Sequence, residues 1–172
     1  MANGFPLSAL VGRRDIMELL DEVFFSFTFG GEAVSLAASL ATIKEMREKN
    51  VIAHLWSQGR KIRDGYNLLA KEFEVERFTE CIGLLPRTVL TFKDDRGATS
   101  LAAESLFQQE CIKRGLLFTG VHNICLSHTD RDIDFTLRVY RTVLEILAQA
   151  IKEGDVAGKM EGDMLEPVFR QA

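Results

Sequence analysis

Only three cysteines occur in the chain, Cys81, Cys111 and Cys125, and no two of them form a C-x-x-C pair. Their odd number and wide spacing argue against a disulfide framework or a structural zinc site and fit a reducing cytoplasm. No apolar run is long enough to span a bilayer. The start, Met1-Ala2-Asn3-Gly4-Phe5-Pro6, has no charged region with an apolar one behind it, so it does not read as a secretory leader. An excess of basic charge is also missing: the formal net charge is −4, and bulk charge therefore points to no nucleic-acid partner. The three histidines, His54, His122 and His128, are too dispersed to suggest a metal site. There is no internal repeat and no low-complexity segment. The expectation is a soluble, cytoplasmic protein with no metal, membrane or nucleic-acid partner.

What is present is globular composition, 47% hydrophobic and 27% charged over 172 residues, enough for one domain with a core. Leu7 to Val11, between Pro6 and Gly12, reads as a buried strand, and Arg13 to Leu20 as a short helix. Val23 to Phe29 is rich in phenylalanine and reads as a strand or a buried loop. A helix from about Glu32 to Glu48 is apolar on most sides, which predicts burial. Asn50 is placed to cap the next helix, where Ile52, Leu55, Gly59, Ile62, Tyr66, Leu69 and Phe73 recur at alternating spacings of three and four.

Phe78 to Leu84 and Arg87 to Phe92 flank Leu85-Pro86 and predict an antiparallel pair. Thr99 or Ser100 caps a helix ending before Gly115. Leu116 to Phe118 and Asn123 to Leu126 read as short strands. Thr129 with Asp132 resembles a capping box. Behind it, Ile133, Leu137, Tyr140, Leu144, Leu147 and Ile151 repeat the three-four stripe up to Gly154. From about residue 50 the pattern is that of a small α/β domain, with helices on one face of a short, largely antiparallel sheet. Residues 1–31 read as the last part of another domain.

Between these regions, Ser26-Phe27-Thr28-Phe29-Gly30-Gly31 leads into the alanine-rich run Glu32 to Ala41. Free N–H groups at a helix start favour an anion, and glycine permits its close approach. Taken alone, the junction reads more simply as a glycine-containing loop before an ordinary buried helix.

The run Met1 to Arg14, its spacing to Phe27-Thr28-Phe29-Gly30-Gly31, the Thr129-Asp130-Arg131-Asp132-Ile133-Asp134 helix start and the tail Pro167-Val168-Phe169-Arg170 resemble the class III pyridoxal-phosphate aminotransferases. More narrowly, they resemble the glutamate-1-semialdehyde aminomutase branch. The resemblance covers essentially the whole chain, with its specific part in the first forty residues. It implies the C-terminal portion of a fold type I enzyme, a mixed α/β chain. Residues 1–31 would be the end of the large cofactor-binding domain, 32–49 a connecting helix and 50–172 the small α/β domain.

The family's Schiff-base lysine lies immediately before the Ala-Asn-Gly-(apolar)-Pro segment. Here that position falls upstream of Met1, so no catalytic residue is assigned and the chain alone is expected not to turn over. Asn3 and Gly4 would fix the approach of that lysine. Thr28, with the N–H of Phe29, is expected to bind the phosphate of pyridoxal 5'-phosphate on the partner subunit of a homodimer, while Ser26, Gly30 and Gly31 shape the loop. Glu32 and Ala33 depart from the Asn-Pro pair common in the aminomutase, which leaves room for other small carbonyl substrates. The complete enzyme would pass an amino group from a small donor to such an acceptor.

The remaining candidates have plainer readings. Lys44, Lys49, Lys61 and Lys71 lie on polar helix faces, and none replaces the lost lysine. His54 reads as a surface residue and His122 and His128 as loop residues near a substrate entrance. Arg87 and Arg170 are of a type that grips carboxylates, without a residue-level match. Asp130, Asp132 and Asp134 supply negative charge at a helix start. A second class of function is a stand-alone, non-catalytic module for dimerisation or phosphate-ligand binding; a third is half of a split enzyme. The segment Phe24-Phe25-Ser26-Phe27 is expected to favour self-association.

Overall fold

The computed structural model describes residues 1–26 and 28–166. Phe27 of the Phe27–Gly31 motif and the tail Pro167–Arg170, with the candidate Arg170, lie outside the described residues. The chain forms two compact units that divide between Ile52 and Ala53.

In the first unit, Arg14–Met17 forms a single helical turn, α1, continued by a 3-10 turn over Glu18–Asp21, in line with the expected short helix. Helix α2 spans Ala33–Glu48. Four expectations fail in this unit. Leu7 to Val11 forms no strand and is largely exposed, with Val11 at 85%. A strand needs a neighbour for its N–H and C=O groups, and this segment has no ladder partner among the described residues. The described residues of Val23 to Phe29 form neither strand nor buried loop, and Phe24 is 97% exposed.

Helix α2 is not mostly buried: Leu36 and Leu40 are exposed, and its buried residues are Ser35 and Ser39. A helix with apolar residues all round has no single stripe to cover. Here the covered stripe is the one carrying two small hydroxyl residues four positions apart. Asn50 also departs from the N-cap role, since its φ of +48° is left-handed and not the extended conformation of an N-cap. It stands just past Lys49, the last half-turn of α2, where a left-handed Asn closes a helix.

In the second unit, α3 (Val51–Glu72, starting just before the division) leads into strands β1 (Thr79–Leu84) and β2 (Arg87–Phe92). Helix α4 (Leu101–Lys113), strand β3 (Val121–Asn123) and α5 (Asp130–Glu153) follow. The strands pair antiparallel in the order β1-β2-β3, with Ile82 opposite Val89 and Thr88 opposite His122. Alternation sends Thr79, Cys81, Thr88, Leu90, Phe92 and His122 to one buried face. All three helices reach that face: Tyr66 of α3 meets Thr79 at 2.5 Å, Phe92 packs on Phe107 of α4 with centroids 5.2 Å apart, and His122 meets Tyr140 of α5. The expected small sheet with helices on one side is therefore present.

The core is aromatic at its centre. Tyr66, Phe107 and Tyr140 are fully buried and meet pairwise, edge-on or tilted, with ring centroids 5.3–5.9 Å apart. Gly59 lets α3 lie against the turn between β1 and β2, where a Cβ would stand 1.8 Å from the Leu85 carbonyl oxygen. The outer edge of β1 is closed by Asn67, whose side chain accepts from Cys81 N at 2.8 Å and donates to Cys81 O at 3.0 Å.

Two strand expectations shift. Leu116 to Phe118 is not a strand. Leu116 N instead bonds Cys111 O behind the left-handed Gly115, closing α4, and Phe118 turns its ring into the core. The last strand is Val121–Asn123 and not Asn123–Leu126, because β2 sets its pairing through Leu90 N to Gly120 O and Ile124 N to Pro86 O. Ser100, not Thr99, caps α4, with its hydroxyl accepting from Ala103 N. The Thr129–Asp132 capping box is present, and left-handed Gly154 ends α5.

Candidate functional site

The Thr28–Gly31 turn and the start of α2 carry the phosphate candidates. Thr28 and Phe29 are both exposed, and the turn is closed by Glu32 N bonding Phe29 O at 3.3 Å. Among the described residues, nothing lies within 4 Å of where a Gly31 Cβ would be, so that side of the backbone leaves room for a ligand. The helix end itself is not open. Glu32 is the N-cap of α2, and its carboxylate accepts from Val34 N at 2.8 Å and from Ser35 N at 2.7 Å. The backbone donors expected to face an anion already hold one. The candidates that remain available are thus Thr28 and Phe29 of the turn, separated from the Glu32 cap by Gly30 and Gly31. At the other end of this unit's sequence, Asn3 (φ +50°) and Gly4 (φ +101°) form a left-handed turn, and Phe5 N bonds Ala2 O.

The second unit gathers the histidines. His122 is buried on β3 between two hydroxyls: Thr88 Oγ1 lies 2.8 Å from Nδ1 and Tyr140 Oη 2.6 Å from Nε2. Burial, with the nearby His128 adding to it, pushes the His122 imidazole down to about 4, so it is neutral at physiological pH. Burial pushes the Tyr140 phenol well above its usual value. His122, His128, Asn123, Asp132 and Tyr140 help line one cavity of about 290 Å³. His128 Nδ1 accepts from Cys125 N, and its carbonyl lies 3.0 Å from His54 Nε2. His54 is thereby half-buried, not a surface residue.

Asp130 serves more than the helix dipole. Its Oδ1 accepts from Gln58 at 2.7 Å and Lys61 at 2.5 Å, tying α5 to α3, and Lys61 foremost holds its carboxyl below the usual range. Lys44 and Lys49 pair with Glu48 and Glu45, and Lys71 is exposed. Arg87 is exposed on β2. Among the described residues, no three His, Cys, Asp or Glu side chains converge as a metal site would require. No helix of the described residues is long and apolar enough to cross a membrane.

Sequence reasoning missed the Thr88–His122–Tyr140 line, because its members lie on three elements and no spacing connects them. It also missed the capping role of Glu32, for which an acidic residue directly before a helix was the available signal.

No family model matches the chain. It is 28% identical over 148 residues to 3-aminobutyryl-CoA aminotransferase from Cloacimonas acidaminovorans, covering 84% of this chain and 35% of that protein. It is 24% identical over 159 residues to glutamate-1-semialdehyde 2,1-aminomutase from Desulfitobacterium hafniense, covering 86% and 37%. Both of these relatives, and aminopentol aminotransferase from Sphingopyxis macrogoltabida, are named as aminotransferases or aminomutases. It spans little more than a third of the length of these two curated relatives. Among solved structures it is similar to the FumI protein of Sphingopyxis sp. MTA144, described in its PLP internal aldimine form. The TM-score is 0.72 at 24% identity, over 88% of this chain and 36% of that one. That likeness shows a shared mixed α/β fold.

Proposed function

We propose that this chain is the C-terminal portion of a pyridoxal-phosphate-dependent class III aminotransferase or aminomutase that moves an amino group to a small carbonyl substrate. The observation that carries this reading is the similarity over 84–86% of the chain to an aminotransferase and an aminomutase alike; the fold shared with FumI supports it. In this reading residues 1–31 end the large domain, 32–49 connect, and the remainder is the small domain that shapes the substrate cleft. The unpaired, buried thiols of Cys81 and Cys111 suit a cytoplasmic protein.

The residues fit the cofactor's phosphate at the turn and not at the helix end. The Thr28 hydroxyl and the Phe29 N–H would each donate to a phosphate oxygen, across the interface of a homodimer. Bound there, pyridoxal phosphate supplies the electron sink that amino-group transfer requires. The turn's role is to fix that group's position; Glu32 holds the first turn of α2 in register behind it through Val34 N and Ser35 N.

The test is to purify the endogenous product that carries this sequence and to measure its subunit length, its pyridoxal phosphate content and its amino transfer. A subunit more than twice the length of this chain, holding cofactor and transferring amino groups, is expected. In that protein Thr28→Val should lower cofactor occupancy while leaving helicity unchanged. A 172-residue product without cofactor would instead favour the non-catalytic module and refute the proposal.

A further inference from the structure

We propose that Glu32 is an affinity-setting residue of the Thr28 turn: its carboxylate is a built-in anion that keeps the start of α2 from taking part in phosphate binding. The inference rests on the reading of Thr28 as a phosphate ligand and goes beyond it, because it concerns what the neighbouring helix end is prevented from doing.

A helix start offers an anion its first N–H groups and the positive end of the dipole. In α2 two of those groups, Val34 N and Ser35 N, are bonded to the two oxygens of one carboxylate, Oε1 and Oε2 of Glu32, at 2.8 and 2.7 Å. The next, Leu36 N, already bonds Glu32 O at 3.2 Å. The Ser35 hydroxyl in the same turn is fully buried and has no hydrogen-bond partner among the described residues. Donor capacity is therefore present at this helix end, but a charge of the ligand's own sign occupies it. A phosphate dianion held by Thr28, four residues before Glu32, meets that fixed negative charge and gains nothing from the helix. A neutral cap would remove the repulsion and, because an amide has a single accepting oxygen, would leave one of the two N–H groups open to the ligand.

Glu32→Asn is the informative change. Asn ranks among the best N-cap residues, so α2 keeps its cap while the charge is lost. Glu32→Gln serves as a second variant with the same side-chain length. The measurement is titration of the full-length product that carries this sequence, freed of cofactor, with inorganic phosphate, followed by phosphorus NMR and calorimetry. Far-UV circular dichroism confirms that helicity is kept. Each variant is also prepared with Thr28→Val.

Both neutral variants should bind phosphate about two- to fivefold tighter than the unaltered protein, and Thr28→Val should remove most of that gain. Equal affinity in the neutral variants and the unaltered protein, or no binding in any of them, overturns the inference. Equal affinity combined with a loss on Thr28→Val leaves the Thr28 reading standing and removes only the role of Glu32. A gain that survives Thr28→Val supports the role of Glu32 and refutes Thr28 as the ligand.

Discussion

Gly59→Ala should be strongly destabilising, although in most helix interiors the same change is favourable. Gly59 lies well inside α3, where Ala is worth about 1 kcal/mol over Gly through helix propensity. A Cβ at this position would stand 1.8 Å from the Leu85 carbonyl oxygen and 2.4 Å from its carbon. An ordinary carbon–oxygen contact needs about 3.3 Å, so helix and turn would have to separate by roughly 1.5 Å. The obstacle is backbone, and Leu85 is itself buried, so no side-chain rotation relieves it. Overpacking a tight contact costs about 3 kcal/mol or more, which exceeds the propensity gain and leaves a net loss of about 2 kcal/mol. Trp56, the single tryptophan, sits on α3 three residues before Gly59 and reports the unfolding of this unit by fluorescence in urea. A lower midpoint at unchanged slope is expected. Gly65→Ala is the comparison, since the atoms nearest its Cβ would be the Leu137 methyls at 2.7 and 2.8 Å, which belong to a side chain that can rotate away. A Gly59→Ala chain as stable as the parent, or less affected than Gly65→Ala, would refute the close approach of α3 to the turn.

Three other outcomes follow from the second unit. The His122 imidazole, held down to about 4 against an ordinary 6.5, binds its proton more readily in the unfolded chain. Its contribution is therefore complete above pH 6.5, declines as pH falls, and is gone below about pH 4. The loss is at most about 3 kcal/mol, and urea titrations at pH 7 and 5 should show a slope that His122→Gln flattens. Asn67→Ala strips Cys81 of partners for both its N–H and its C=O. The expected cost is about 2 kcal/mol, with concentration-dependent association at the reopened β1 edge, visible by light scattering; a variant of parental stability would count against the edge-closing role. Cys125 is exposed, whereas Cys81 and Cys111 are buried and burial pushes both thiols up, Cys111 to about 12. An aromatic disulfide reagent should titrate one thiol in the folded chain and three in denaturant; rapid reaction of all three without denaturant would contradict this core.

Local signals carried far in the second unit. The three-four stripes of α3 and α5, the capping residues Ser100 and Thr129, the stop at Gly154 and the Leu85-Pro86 turn between β1 and β2 were all readable. Each depends on residues within a few positions of one another. Segments that depend on distant partners were not readable. Apolar content marked Leu7 to Val11 as a strand and α2 as a buried helix, but neither property exists without a neighbour to supply ladder bonds or a covering face. The same holds for β3, which starts two positions earlier than expected because Leu90 of β2 and Pro86 of the preceding turn decide its pairing.

The candidate site divides in the same way. Sequence alone brought Thr28 and Phe29 to attention beside a helix start, since turn, glycines and helix are contiguous in the chain. It also determined the amphipathic helices and the antiparallel pair, because their periodicity is written residue by residue. Only the tertiary structure decided that Glu32 turns its carboxylate onto the very N–H groups an anion would use. Only the fold placed Thr88, His122 and Tyr140 in one buried line, drawn from β2, β3 and α5. Side-chain direction and long-range proximity depend on which elements pack together, and that is a property of the folded chain as a whole.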